Sequence, residues 1–441
     1  MTTNYGTYPA FDLMYDTTGN LVNPSSQKDL TNWLVSNDGK QTTDLLLISH
    51  GWNNDISEAR QLYSNFFAAL ASVQKSQNVA LNSKFAIAAI FWPSKRFADS
   101  DLIPGGAASV SPTLDAQLNA QLVQLKLILA AEPAAAAKIE HAREQISKLD
   151  VSQSAQDDFV FALVSVLPSP RNEKDEGLDD AMIALKTGAT PGHIVLDRLA
   201  VPDFPAFPLP ADSGGHALGL GGMLDGIKSA ASRLANYFTY YTMKDRAGIV
   251  GRTGVYQTIV DLQGSSPRVR IHLIGHSFGG RVVTAAANSL TASKSIASML
   301  LLEAAYSHNG LAQNWDGQGN DGAFRSVVAV PKIAGVTSIT HSVHDTAVGI
   351  AYPLASRIMN QVAAALGDAN DKFGGMGRNG AQHTPEAFDD VLLDVGTAYT
   401  PLADGKTIRN LNGDGPSPKP TIAGHGDVAK PEIAWAWASS L

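Results

Sequence analysis

Gly275-His276-Ser277-Phe278-Gly279 sets a serine between glycines two positions away on either side. A serine hydroxyl attacks a carbonyl carbon only when a base takes its proton and donors hold the oxyanion that develops. Glycines at this spacing permit a tight turn in which the serine adopts strained dihedrals, because side chains there would collide. The flanks suit such a turn: an apolar strand-like run, Arg270–Ile274, precedes it and a helix-forming stretch, Gly279–Leu290, follows. A serine at the mouth of a helix also faces backbone N–H groups and the positive end of the helix dipole. Ser277 is therefore the predicted nucleophile, with Gly275 and Gly279 shaping its turn.

The base must come from eleven histidines. His276 adjoins the nucleophile, so its side chain is expected to point elsewhere, and His272 lies inside a strand. His141, His193 and His216 precede the serine within a helical region, and His308 precedes the expected acid. His425 sits in a late glycine-rich loop, Ala423-Gly424-His425-Gly426-Asp427, where the chain order Ser, Asp or Glu, His puts a base. His383 is the second choice. For the acid, Asp345 follows the end of an alternating strand and would project from the carboxyl edge of a sheet, where catalytic groups gather. Glu303, directly after the apolar run Ser298–Leu302, is its rival. His341 and His344 read as ordinary loop histidines. Early in the chain, His50-Gly51-Trp52 ends the apolar strand Asp44–Ser49; the backbone amides of Trp52 and Phe278 are the predicted oxyanion donors.

Taken in this order, these segments resemble the α/β-hydrolase superfamily, in particular its lipase and esterase branches. The resemblance spans roughly residues 40–95 and 247–440. It implies Ser277, Asp345 and His425 as nucleophile, acid and base, two-step acyl transfer on a carboxylic ester, and no metal or cofactor. Activity is then expected to fall as pH drops through the base's pKa, roughly 6–7. The alternatives are amidase, peptidase or phospholipase-type effector chemistry on the same residues, or an inactive hydrolase-like binding module.

Elements that position these residues are legible in the apolar periodicity. Residues 1–96 alternate strand, helix and strand, with strands at Phe11–Tyr15, Asp44–Ser49 and Phe85–Trp92 and a helix over Ile56–Val73. The same rhythm returns from Ala247, with strands at Ser298–Leu302 and Val336–Val343 and a helix within Thr346–Gly367. The fold class is α/β: a mostly parallel central sheet with helices on both faces. Between these parts, residues 97–246 read as a mainly helical cap insertion, giving a core of 1–96 plus 247–441. Leu114, Leu118, Leu122 and Leu125 recur at helical spacing, and Pro133 opens another helix. Phe159–Leu167 is a further apolar segment, and the proline-rich Val201–Pro210 is irregular. Met223, Ile227, Ala231, Leu234, Phe238 and Tyr241 form a one-sided stripe. The cap falls earlier in the chain than is usual for the superfamily.

The chain has 441 residues, a formal charge of -8 and no cysteine. That excludes disulfides, thiolate catalysis and cysteine-ligated zinc. Acidity without a basic stripe argues against a nucleic-acid partner. No bilayer-spanning apolar run and no secretory signal is visible, so a soluble cytoplasmic protein is expected. The expected partner is a small ester or lipid with an apolar moiety, suggested by the apolar stripes with Phe204 and Phe207. Asn314–Gly322 has the oxygen-rich composition of a calcium loop, although plain turns share it and the spacing is not that of an EF-hand.

Overall fold

Asp44–Ser49 (β3) and Phe85–Phe91 (β4) are buried along their whole length, as their unbroken apolar runs require of strands covered on both faces. Their side chains alternate between two cores: Leu45 and Leu47 join one cluster, Leu46 and Ile48 the other. This computed structural model describes residues 3–79, 82–94, 113–129, 133–167, 178–200, 226–291, 293, 295–346, 358, 374–415 and 420–441. The other strands are Thr3–Tyr5 (β1), Tyr8–Met14 (β2), Arg270–His276 (β5), Ser298–Leu302 (β6), Thr337–His341 (β7), Ala387–Val391 (β8) and Ile408–Asn412 (β9). They form one nine-stranded sheet in the order β1-β2-β4-β3-β5-β6-β7-β9-β8. Among the strands of the described residues, β1 and β2 pair antiparallel, and every other neighbouring pair is parallel. The protein is thus an α/β protein with a mostly parallel mixed sheet.

Parallel strands need crossovers, and helices supply them on both faces. Pro24–Val35 (α1) precedes β3, and Ile56–Gln77 (α2) joins β3 to β4. Asp55 caps α2 by accepting from the Ser57 and Glu58 amides, while the Glu58 carboxylate accepts from the Asp55 amide. Buried Tyr63, Phe66, Phe67 and Leu70 of α2 meet one sheet face together with Trp437 of the C-terminal helix.

A helical block occupies the described part of the region between β4 and β5. It comprises Leu114–Ile128 (α3), Pro133–Gln145 (α4), Gln153–Ser165 (α5), Leu178–Lys186 (α6), Gly192–Leu199 (α7) and Ile227–Val250 (α8). Its apolar residues and those of the other sheet face belong to one continuous cluster, so the block is built onto the sheet. Lys244 of α8 and Asp179 of α6 form a buried ion pair at 2.7 Å, and the Tyr241 hydroxyl donates to the same carboxylate.

The boundary expected at 246/247 falls inside α8. That helix runs on through a π-helical turn, Gly251–Val255, into Tyr256–Ser265 (α9). A Cβ on Gly251 would stand 2.2 Å from the Val282 carbonyl oxygen, so glycine permits close passage there. The first long strand starts at Tyr8 rather than Phe11, and β5 continues to His276. Val201–Pro210, Met223, and nearly all of the helix expected over 346–367 lie outside the described residues.

Candidate active site

Because the strands from β2 to β9 run parallel, their carboxyl ends share one edge of the sheet. In spatial order, β3 delivers His50 to Trp52, β5 delivers Ser277, β6 delivers Glu303, and β7 delivers Asp345. The segment after β9 brings His425. Residues up to 375 positions apart thus converge through strand order alone.

Ser277 stands between β5 and Phe278–Ser289 (α10) with φ 57° and ψ -125°. Few non-glycine residues adopt that region, and it costs of order 1–3 kcal/mol. Neighbouring backbone holds it there: the Ser277 amide donates to the Leu302 carbonyl at 2.9 Å, and the Ala305 amide donates to the Ser277 carbonyl at 3.0 Å. The glycines are sterically required. A Cβ on Gly275 would come 2.4 Å from the Gly279 carbonyl oxygen, and one on Gly279 would come 2.1 Å from that of Ser49. Gly279→Ala is therefore expected to destabilise the protein by about 3 kcal/mol, since backbone must move to admit the methyl group. An unchanged urea midpoint would show that β3 and the turn at Ser277 do not touch this way.

Gly51 lies so close that a Cβ there would stand 3.1 Å from Ser277 Oγ. The loop carrying it is fixed by His50. The His50 amide donates to the Tyr63 hydroxyl at 2.8 Å, the Trp92 indole donates to the His50 carbonyl at 2.9 Å, and the Trp92 ring stacks on the imidazole. Next to it, the Trp52 amide donates to no other group among the described residues, and neither does that of Phe278, the first residue of α10. These are the two amides expected to hold an oxyanion. The Trp52, Tyr240 and Phe278 rings meet beside them, with Tyr240 and Phe278 centroids 4.7 Å apart.

His425 Nδ1 and Asp345 Oδ2 are 2.9 Å apart, although the residues are 80 positions apart. Asp345 is fully buried, and the His425 side chain is 11% exposed. The two loops are tied together by Ser342, whose hydroxyl lies 2.9 Å from Asp414 Oδ1 and 3.0 Å from the Ile422 carbonyl. Ser277 Oγ and His425 are not hydrogen-bonded. No hydrogen bond or ion pair joins Glu303 to His425 among the described residues; Glu303 lies fully buried beside Asp345. His383 Nδ1 instead meets Asn309 Oδ1 at 2.8 Å, and His308 Nδ1 meets Asn379 at 3.0 Å.

His276 is the residue whose part here was not foreseen. Its ring packs 4.9 Å from that of His425, and Nε2 donates to the His425 carbonyl at 2.8 Å. Only its place beside Ser277 hinted at this. Burial above all holds its pKa down to about 3, and that of His50 down to about 4. In the unfolded chain each titrates near 6.5. Between about 6.5 and those lower values the unfolded chain binds more protons, so stability falls as pH drops through that window. The slope is about 1.4 kcal/mol per pH unit for each histidine. His276→Gln keeps a donor for the His425 carbonyl. It is expected to lose about 2 kcal/mol less than the wild type between pH 7 and pH 5. Equal losses in urea titrations would mean that His276 is not buried neutral.

A second serine, histidine and aspartate line up near the start of the strands. Ser298 Oγ lies 2.7 Å from His272 Nδ1, and His272 Nε2 lies 2.8 Å from Asp44 Oδ1. All three are almost completely buried, and the Trp437 indole donates to Ser298 Oγ. This serine sits on a regular strand and is shut off from solvent, so the set is structural.

In the Asn314–Gly322 loop the side-chain oxygens are engaged by local amides. Asp316 accepts from Gln318 and Asn320, Asn314 from Gly319, and Asp321 from Asn314. Among the described residues no acidic or histidine cluster suited to a metal ion occurs, and no helix is long and apolar enough to cross a membrane. A surface cleft of ≈ 620 Å³ between α1 and α9, lined by Tyr15, Gln27, Thr258 and Asp261, contains none of the convergent residues.

No family model and no curated protein matches the chain. Among solved structures, it is similar to an uncharacterized protein from Pseudomonas aeruginosa at 12% identity and a TM-score of 0.19. That match covers 74% of this chain and 38% of the other; likeness at that level carries no argument.

Proposed function

We propose that the protein is a serine hydrolase of the α/β-hydrolase kind that cleaves carboxylic esters, with the helical block serving as its cap. The observation that carries this reading is a convergence at one sheet edge. A serine at φ 57°, two amides with no other partner among the described residues, and a histidine bonded to a buried aspartate lie there.

Each group has a distinct task. His425 Nδ1–H donates to Asp345, which leaves Nε2 as the acceptor for the Ser277 proton. Oγ then attacks the ester carbonyl, and the Trp52 and Phe278 amides hold the oxyanion, a contribution of about 3–4 kcal/mol for a donor of this kind. The imidazolium returns its proton to the departing alkoxide. Water repeats the cycle on the acyl-enzyme, releasing the acid and regenerating Ser277. The serine–histidine bond commonly tightens only when substrate is bound, which fits its absence here. The aromatic group around Trp52 favours an apolar moiety on the substrate, hence a small ester or a lipid.

Labelling with a fluorophosphonate tests the reading. The wild type is expected to label, and Ser277→Ala and His425→Ala are not. A chain-length series of esters then defines the substrate. A folded wild type that neither labels nor turns over any ester or amide would leave a binding module in its place.

A further inference from the structure

Behind Asp345 lies a second carboxyl group that the reaction does not use. Glu303 follows β6 directly, with no exposed surface and a left-handed φ of 46°. Its backbone is gripped from two sides. The Glu303 amide donates to Thr340 Oγ1 at 3.2 Å, and the next residue, Ala304, accepts from the Gly377 amide at 2.9 Å. Gly377 itself fills the angle between the two acids: a Cβ there would stand 2.5 Å from the Glu303 carbonyl carbon and 2.8 Å from Asp345 Oδ2. The chain therefore spends a strained residue and a glycine to keep two carboxyl groups together.

Their protonation follows from the partners present. Neither Glu303 carboxyl oxygen receives a well-formed hydrogen bond from the described residues, and both are buried. An ionised carboxylate there would be an unpaired buried charge beside a second one, which proteins avoid by protonation. A protonated acid needs one acceptor, and the carboxylate it faces is Asp345. Burial, and then the charge of Asp345, push Glu303 well above the usual carboxylate range, in keeping with this geometry.

We propose that Glu303 is a proton-bearing positioning residue that donates a hydrogen bond to the Asp345 carboxylate, holding it in the orientation that directs His425. The role rests on the reading of Asp345 as the acid of a serine hydrolase. Asp345 then accepts from His425 on one side and from Glu303 on the other, and the two acids together carry a single negative charge. Thr340 and Gly377 serve to hold Glu303 in that place.

Infrared difference spectra and ester kinetics of the full chain decide the matter together. Wild type minus Glu303→Gln at neutral pH is expected to show the carbonyl stretch of a protonated carboxylic acid. Absence of that band overturns the proposal, and the measurement needs no activity. In kinetics, Glu303→Ala is expected to lose 10- to 100-fold in kcat with KM within about twofold. Glu303→Gln, which restores a neutral donor, is expected to recover kcat to within about threefold of wild type. Glu303→Met, of similar length but without a donor, should match the alanine variant if the latter folds poorly. Glutamine as damaging as methionine, or alanine without loss of kcat, also overturns it. A wild type that does not react with fluorophosphonate removes the hydrolase reading instead, while the infrared result still reports where the proton is.

Discussion

Ser277→Ala is expected to reduce ester turnover by about 10⁶-fold, roughly 8 kcal/mol of transition-state stabilisation. The size follows from the arrangement: without Oγ the base has no proton to take, and the amides of Trp52 and Phe278 can act only on direct attack by water. What remains is the smaller rate gain from the oxyanion donors and binding. Stability should change by less than about 1 kcal/mol, because alanine meets the same left-handed backbone as serine and the main-chain bonds to Leu302 and Ala305 stay. Steady-state rates over a range of p-nitrophenyl esters, with the urea midpoint recorded for each variant, provide the check. A loss below 10³-fold in a folded variant would point to another nucleophile. Ser298 would not qualify, since it is almost completely buried in a regular strand and its oxygen accepts from the Trp437 indole.

The second large effect is expected from Asp345→Asn, a fall in kcat of about 10⁴-fold with KM little changed. Asparagine preserves the shape of a fully buried side chain, so the loops tied through Ser342 and Asp414 should remain in place. The amide can present its NH₂ group to His425 Nδ1, which then carries no proton. The other ring nitrogen, facing the nucleophile, is left protonated and cannot accept. Turnover measured from pH 6 to 9, alongside fluorophosphonate labelling rates, separates this from simple unfolding. A variant retaining more than a tenth of the wild-type rate would show that Asp345 does not direct the base.

Much of this was legible in the chain because its signals are local. The Gly275 to Gly279 spacing is a steric statement about one turn, and the structure gives the Cβ collisions it implies. Apolar runs such as Asp44–Ser49 mark strands covered on both faces, and chain order placed Asp345 and His425 within one hydrogen bond of each other. What stayed hidden depends on neighbours distant in sequence. Ala387–Val391 and Ile408–Asn412 are too polar to announce themselves as strands; β9 is a strand because β7 and β8 flank it. His276 gave no sign that it would bond the carbonyl of a residue 149 positions later. Glu303 was visible as an acid at a strand end, yet its service to Asp345 depends on Gly377 and Thr340, which no pattern joins to it. The expected limit of the helical block falls within α8, which crosses it without any break in periodicity.

That continuity has a mechanical consequence. From Ile227 to Ser265 the backbone forms one rod, interrupted only by the π turn where Gly251 touches α10. Tyr240 on this rod presses on Phe278, whose amide is one of the two without another partner among the described residues. The rod is thus a beam bolted to α10, the helix that begins at Phe278, rather than a door on a hinge. Making room beside Phe278 calls for a smaller side chain at position 240, because swinging the rod would drag the turn at Ser277 with it.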